Sequence, residues 1–246
     1  MSDFQSICRS AFGAANSVRV DPRGFIGNLE EYKSSFGNNR VRYRKGAEPL
    51  MTAEGKYAVL EAIQELNTCD ALSELRLSEG LSKAAQSLCN SISQEEEIYE
   101  SLSERLNKFG TWKLYIAESL DYGSLTGLDL VCALLVDDGV PTRAHRKALL
   151  NPKVQTIGIG SAPHRDYTTV SCVLLSDGFL DSRSSPSVYI PEETVTLYPY
   201  IENWPQGAFR VTCEVREEQN GNKLIQVVTK YCEFENGEKK IIQEEY

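Results

Sequence analysis

Of the two histidines in this 246-residue chain, His145 is the one set where chemistry could be done. It lies in the run Leu134 to Gly160, LLVDDGVPTRAHRKALLNPKVQTIGIG, between a helix-ending turn and a strand. An imidazole in such a place can serve as a general base or a metal ligand. A hydrolytic base needs a nucleophile within reach. The chain has no G-x-S-x-G elbow, and its Gly-rich candidates, GIGS at Gly158 and NGN at Asn220, read as a strand end and a hairpin turn. A P-loop and a dinucleotide fingerprint are missing too, so nucleotide chemistry has no foothold. The seven cysteines (Cys8, Cys69, Cys89, Cys132, Cys172, Cys213, Cys232) stand singly, with no C-x-x-C pair for a zinc ribbon or a redox dithiol. Cys89 and Cys132 fall on apolar helical stripes and read as small hydrophobes.

A second group with chemistry to offer is Arg40, Arg42, Arg44 and Lys45, with Val41 and Tyr43 interleaved at strand spacing. It is the one dense basic cluster in a chain of net charge −9. It reads either as a solvated face or as a docking surface for an acidic protein partner. The acidic balance argues against a broad nucleic-acid surface, which needs a basic excess to replace phosphate counterions. No window approaches the ~20 apolar residues of a membrane helix. The first twenty residues are interrupted by Asp3, Gln5, Arg9 and Asn16 and lack the apolar stretch of a secretory signal. The expected address is therefore cytoplasmic, and a reducing compartment fits unpaired cysteines.

The elements that must position these residues come next. Residues 1–50 carry little periodic hydrophobicity and five well-spaced glycines, Gly13, Gly24, Gly27, Gly37 and Gly46, and read as an extended arm. A domain over 51–180 opens with a helix capped at Thr52 and striped by Tyr57, Leu60, Ile63 and Leu66. Leu81, Ala84, Ala85, Leu88, Cys89 and Ile92 predict a second helix, with an apolar face wide enough to pack on a sheet. Ile98, Leu102 and Leu106 suggest a short helix ended by Gly110. Thr126 to Val136 predicts a helix with Leu128, Val131, Cys132 and Leu135 inward, broken by Asp138-Gly139. After Pro141 a short helix carries His145 and stops at Asn151-Pro152, because the residue before proline is pushed out of the helical region. Strands follow over 154–160 and 168–175. Residues 181–246 read as a linker, Asp181 to Pro191, and a three-stranded meander over 209–217, 224–234 and 239–244, with turns at Asn220-Gly221 and Asn236-Gly237. Such a small sheet must bury a face somewhere. The fold class is α/β: a sandwich with helices on both faces of an antiparallel sheet, extended by the C-terminal antiparallel meander.

Three runs, SEGLSKAAQSLC, AESLDYG and VDDGVPTRAHRKALLNP followed by IGIG, resemble in order and spacing the CAP superfamily of cysteine-rich secretory, antigen 5 and pathogenesis-related group 1 proteins. The resemblance covers roughly residues 50–180, and GVPTRAHRKALLNP is its most specific part. It implies an α-β-α sandwich with a central cleft, often lined by two histidines and two acidic residues that can hold a divalent metal. His145 matches one family histidine, and Glu118 matches the glutamate of the family's G-E-N motif, with Ala117 and Ser119 replacing its neighbours. Asp137 or Asp138 would supply the second acid. The other histidine is absent, leaving Gln94 or a neighbour in its place, and His164 lies too far along the chain to substitute.

One imidazole and two carboxylates make a weak cage, so no cofactor is expected, and His145 and Glu118 are only weak metal candidates. The two are expected instead to form a buried hydrogen-bonded pair. The reading that follows is a non-enzymatic intracellular scaffold or adaptor that contacts protein partners through the N-terminal arm and the C-terminal meander. A cytoskeletal or ciliary assembly is one such setting. One alternative is a binding module for a lipid, a sterol or another small apolar ligand, as the resemblance implies. An apolar pocket between the helices would favour it. The other alternative is a metal-dependent hydrolase.

Overall fold

In the computed structural model, which describes residues 4–37, 40–98, 100–182, 208–220, 223–234 and 238–245, helix and strand are mixed along the chain. The elements in order are α1 (Phe4–Val20), α2 (Pro22–Ser34), β1 (Val41–Arg42), β2 (Leu50–Met51), α3 (Lys56–Thr68), β3 (Arg76–Leu77) and α4 (Glu79–Ser93). They continue with α5 (Leu102–Asn107), β4 (Gly110–Trp112), β5 (Ile116–Tyr122), α6 (Gly127–Val136), α7 (Ala144–Leu149), β6 (Thr156–His164), β7 (Thr168–Ser176) and β8 (Phe179–Asp181). The last three are β9 (Ala208–Asn220), β10 (Lys223–Phe234) and β11 (Lys239–Glu245).

The two β-branched runs marked in the sequence are β6 and β7, paired antiparallel from Thr156 opposite Ser176 to His164 opposite Thr168. β5 adds antiparallel to the far side of β7, and β3 adds parallel to the start of β6, so the order is β3-β6-β7-β5. Side chains alternate across the sheet. Ile157, Ile159, Val173 and Leu175 enter a core built with α1, α2, α3, α6 and α7. Val170, Cys172 and Leu174 enter a second core built with α4 and Leu106 of α5. Helices thus cover both faces.

Gly158 and Gly160 decide how closely α4 approaches the sheet. A Cβ built on Gly158 would stand 2.3 Å from the carbonyl carbon of Leu81, and one on Gly160 would stand 2.3 Å from the backbone nitrogen of Gln86. The Gly-Ile-Gly alternation therefore lays helix backbone directly on strand backbone on one face, while the isoleucines fill the other. The α4 stripe is as predicted: Leu81, Ala84, Ala85, Leu88 and Cys89 are buried and Ile92 is half-buried.

The extended N-terminal arm is corrected. Residues 4–34 form two helices whose buried stripes, Ile7, Ala11, Ala15 and Val18, then Phe25 and Leu29, belong to the first core. Alanines at two of these four buried apolar positions in α1 weaken its hydrophobic signal. The start of α2 is written in Asp21-Pro22, because the Asp21 side chain accepts the Gly24 N–H at 2.9 Å and proline occupies the first turn. The α3 register is corrected as well: Ala58, Val59, Ala62, Ile63 and Leu66 are buried, while Tyr57 and Leu60 are 80% and 41% exposed. In α6 the burial runs from Leu130 to Val136, except Ala133, and Leu128 is 37% exposed.

At the C-terminus β9, β10 and β11 pair antiparallel in the order β11-β10-β9, the predicted meander. The linker residues 183–191, the turns at 221–222 and 235–237, and the meander face expected to be buried lie outside the described residues.

Candidate functional site

Two consecutive carboxylates organise the surroundings of His145. Helix α6 ends at Asp137, whose backbone is left-handed (φ 53°), and Gly139 is also left-handed (φ 76°). The chain therefore turns sharply and sends the two aspartates to different neighbours. Asp137 is buried and accepts the backbone N–H of His145 at 2.7 Å and of Arg146 at 3.3 Å. Its other oxygen lies 2.7 Å from His145 Nδ1. Asp138 accepts the N–H groups of Ala53, Glu54 and Gly55 at 2.6, 2.8 and 3.1 Å. Asp137 thus closes the start of α7, while Asp138 ties down the three residues that lead into α3. Asp137 is the one that meets His145. With Nδ1–H donated to that carboxylate, Nε2 carries the lone pair, the arrangement of an oriented base.

Around this turn lies an ion-pair cluster that sequence reasoning misses. Arg143 reaches both oxygens of Glu54 at 2.6 Å and Glu61 at 2.7–3.2 Å, and the buried Arg146 reaches Glu61 at 2.9 Å and Glu65 at 2.8 Å. Arg146 also donates to the carbonyls of Leu135 and Val136 at the end of α6. Hydrogen bonding from Arg143 holds the Glu61 carboxyl down at about 2, against the opposing effect of its partial burial. The available signal is spacing: arginines three apart in RAHR, and glutamates four apart in EAIQE.

Glu118 is elsewhere. On β5 it shares a face with Ile116 and Leu120, which pack in the second core, and its carboxylate is bound by Arg105 of α5 with Cys172 Sγ at 3.8 Å. Burial raises its pKa, opposed by the Arg105 charge. Ala148 and Leu149 of α7 pack in the first core, on the other side of the sheet. The expected Glu118–His145 pair is therefore not formed, because strand alternation aims Glu118 away from α7. Gln94 caps the C-terminal end of α4 and is exposed. His164 accepts N–H groups of Asp166 and Tyr167 and packs edge-on against Tyr122. Among the described residues no three His, Cys, Asp or Glu side chains are grouped to hold a metal. Burial pushes the thiols of Cys89 and Cys132 up to about 12, which keeps both protonated.

The basic cluster is largely bonded within the chain. Arg40 is exposed but donates to the carbonyl of Ala53 at 2.5 Å. Arg42 is buried, bonded to Ser35 and Asp129, with its guanidinium 3.6 Å from the Tyr32 ring centre. Arg44 donates to the carbonyls of Gly123 and of Glu48. Lys45 remains exposed to solvent. Arg42 and Arg44 staple the β1–β2 hairpin to the end of α2, to α6 and to the turn after β5.

An opening lies between the two helical layers, at the uncovered edge of β6. Its volume is about 670 Å³. β3 pairs only with Thr156 and Ile157, and beyond them no strand adds to this edge among the described residues. Asn16 pairs with Leu75 and Arg19 donates to Val154, so α1 runs antiparallel to β6 and brings Phe12, Cys8 and Phe4 in turn along the groove. α4 supplies the other wall. Its Ser82 hydroxyl accepts the Ile159 N–H at 3.4 Å, and the Gln86 amide accepts from Ser161 N at 3.1 Å and donates to Ser161 O at 3.0 Å. Gln86 thereby stands in for a missing strand. Leu77, Ile159, Ala162 and Pro163 complete the apolar lining. The apolar wall is legible in the sequence as Phe4, Cys8 and Phe12 at i, i+4 and i+8. A second cavity of about 340 Å³ is lined by Tyr32 and residues 42–45, and neither cavity is lined by His145, Asp137 or Glu118.

Compared with known proteins, the chain matches no family model, and no curated protein matches it. Among solved structures it is similar to an outer surface protein from Borrelia burgdorferi, at 22% identity over 47% of this chain and 84% of that one, with a TM-score of 0.34.

Proposed function

We propose that this chain is a non-enzymatic binding module with a CAP-like sandwich, and that its working surface is the groove between α1 and α4. The observation that carries this reading is the groove itself. It is an opening of about 670 Å³, in the size range of small-molecule sites, walled by Phe4, Cys8, Phe12, Leu77 and Ile159. The edge donors at Ile159 and Ser161 are already bonded to α4, so an apolar ligand would strand neither of them. The CAP-like assignment draws support from the sequence runs around Glu118 and His145 and from helices on both faces of the sheet. The scaffold reading loses support because Arg40, Arg42 and Arg44 are bonded within the chain. The hydrolase reading loses support because Glu118 lies on the side of the sheet that faces the second core, while α7, which carries His145, packs on the first.

The test is displacement of a neutral fluorescent apolar probe, comparing wild type with Leu77→Arg. Leu77 is 56% exposed, so the substitution places a charge in the groove without disturbing a packed core. Saturable one-to-one binding is expected in wild type and at least tenfold weaker binding in the variant, with an unchanged melting temperature. Absence of saturable binding in wild type, or equal binding in both, would overturn the reading.

A further inference from the structure

We infer that β11 is the contact edge of a homodimer, pairing antiparallel with β11 of a second copy about a two-fold axis at Ile242. In the order β11-β10-β9, β11 has β10 on one side and, among the described residues, no strand on the other. It is seven residues long, and its register with β10 runs without a bulge from Glu233 opposite Lys239 to Val227 opposite Glu245. Ile241 is 67% exposed. Strand edges are commonly closed to other chains by a bulge, a proline or charged side chains. β11 has neither of the first two, and its charges are sorted by sign along the strand.

That sorting is self-complementary. The strand reads KKIIQEE, with Lys239 and Lys240 at one end and Glu244 and Glu245 at the other. In an antiparallel pair centred on Ile242, Lys239 falls opposite the second copy's Glu245, Lys240 opposite its Glu244, Ile241 opposite its Gln243, and Ile242 opposite itself. Opposite charges at such positions stabilise a pair of strands, and like charges oppose it. Sliding the copies by one residue halves the number of Lys–Glu pairs, and parallel pairing in register sets lysine on lysine and glutamate on glutamate. A two-fold contact requires that j meet i wherever i meets j, and each position of this pairing obeys it. The axis passes through either kind of antiparallel residue pair, so Ile242 fits the centre whichever way its backbone groups point.

The neighbouring strand does not account for this order of charges. β10 sets Glu233 opposite Lys239, but Cys232, Val228 and Val227 opposite Lys240, Glu244 and Glu245. Lys240 also lies 3.9 Å from Glu238, and both lysines are exposed. An ammonium carries three donors, so such contacts leave room for a carboxylate across the edge. The other edge of the meander is not built this way. β9 intersperses Arg210 and Arg216 with Glu214, Glu217 and Glu218, and no antiparallel self-pairing of it matches more than one arginine with a glutamate in each half.

A seven-residue edge is a small interface, so the dimer is weak and concentration-dependent. Sedimentation equilibrium of the full chain, from micromolar to millimolar concentration, compares wild type with Lys239→Glu/Lys240→Glu, with Glu244→Lys/Glu245→Lys, and with all four substitutions together. Wild type should dimerise, and each double variant should do so at least about tenfold more weakly, because every Lys–Glu pair becomes a like-charge pair. The fourfold variant restores opposite charges at each position and should regain the wild-type constant. Mixing the two double variants should give a heterodimer at least as tight as the wild-type dimer. A wild type that stays monomeric throughout would overturn the inference. A dimer that the double variants leave intact, or a fourfold variant or mixture that does not recover, would place any contact elsewhere and overturn it too. Growth beyond the dimer, the sign of β11 joining β9 of the next copy in an open chain, would overturn the two-fold pairing.

Discussion

Two glycine-to-alanine substitutions should shift stability in opposite directions, and the structure supplies both signs. At Gly160 the added methyl would meet Gln86 N at 2.3 Å, Ala85 C at 2.5 Å and Gln86 Cα at 2.6 Å, all of them backbone atoms and none the tip of a flexible side chain. These distances are about an ångström short of ordinary contact at ~3.5 Å. Either α4 lifts from β6 or the strand bends, and overpacking of this kind costs about 1–3 kcal/mol. Loss of glycine's freedom in the unfolded chain returns at most about 1 kcal/mol. With α4 carrying five buried side chains over this strand, the upper part of the range applies, so the net loss is about 2 kcal/mol. For a chain of this size that corresponds to a fall in melting temperature of roughly 4–8 °C. Gly13, within α1, has nothing within 4 Å of its built Cβ. There alanine restores helix propensity and should add about 0.5–1 kcal/mol, a rise of roughly 1–4 °C. Thermal melts and urea midpoints of the two variants beside wild type decide the matter. A Gly160→Ala protein that melts at or above wild type would refute the claim that this glycine sets the α4–β6 distance.

Asp137→Asn and Asp138→Asn should each cost about 1–2 kcal/mol but at different places, because Asp137 caps α7 and Asp138 holds the segment that leads into α3. Hydrogen exchange should speed up at residues 53–57 in the Asp138 variant and at 144–147 in the Asp137 variant, and identical exchange maps would contradict the assignment. A pH prediction follows from Glu61, whose folded pKa of about 2 lies below its ordinary value of 4.5. A depressed carboxyl stabilises the fold above its unfolded pKa and loses that stabilisation as pH falls from about 4.5 through about 2. Glu61→Gln should therefore flatten the fall of the urea midpoint across that window, by a modest amount because the side chain is 47% exposed. Parallel curves for variant and wild type would count against it.

The contrast between what the sequence displays and what it hides follows from how the signals arise. The α4 stripe, the β6 and β7 runs, the α7 stop before Pro152 and the meander are local patterns, readable within a dozen residues. Helix α1 escapes such a reading because Ala11 and Ala15 occupy two of its buried positions, where their hydrophobic signal is weak. The small residue at Ala11 nevertheless belongs to the packing, since Gly127 approaches the α1 backbone there. For the candidate site, His145 and Asp137 are legible in the sequence and do meet. Glu118 falls in the same cleft by its place in the chain, yet a strand aims neighbouring residues at opposite faces, so proximity cannot be read without the sheet register. The basic cluster misleads for a related reason: composition marks charge but not the internal acceptors that absorb it.

The groove is a consequence of where α4 begins. Ser78 closes the N-terminus of α4 by accepting the Leu81 N–H at 3.0 Å, and its hydroxyl is bonded to Asp181 Oδ1 at 2.5 Å. The same carboxylate accepts Gly80 N at 2.8 Å, and a Cβ on Gly80 would lie 2.6 Å from the Phe109 carbonyl oxygen, so no bulkier residue fits this start. With the helix fixed to begin at Glu79, β3 must end at Leu77 and can pair only with the first two residues of β6. The remaining edge would be an invitation to unwanted strand pairing were it not for Ser82 and Gln86, which follow on the same helix and satisfy the exposed backbone. One device thus ends a strand, opens a groove and neutralises its polar floor, leaving walls that include Phe4, Cys8, Phe12 and Leu77. Extending β3 is therefore the change that should close the groove, and the capping triad of Ser78, Gly80 and Asp181 is what prevents it.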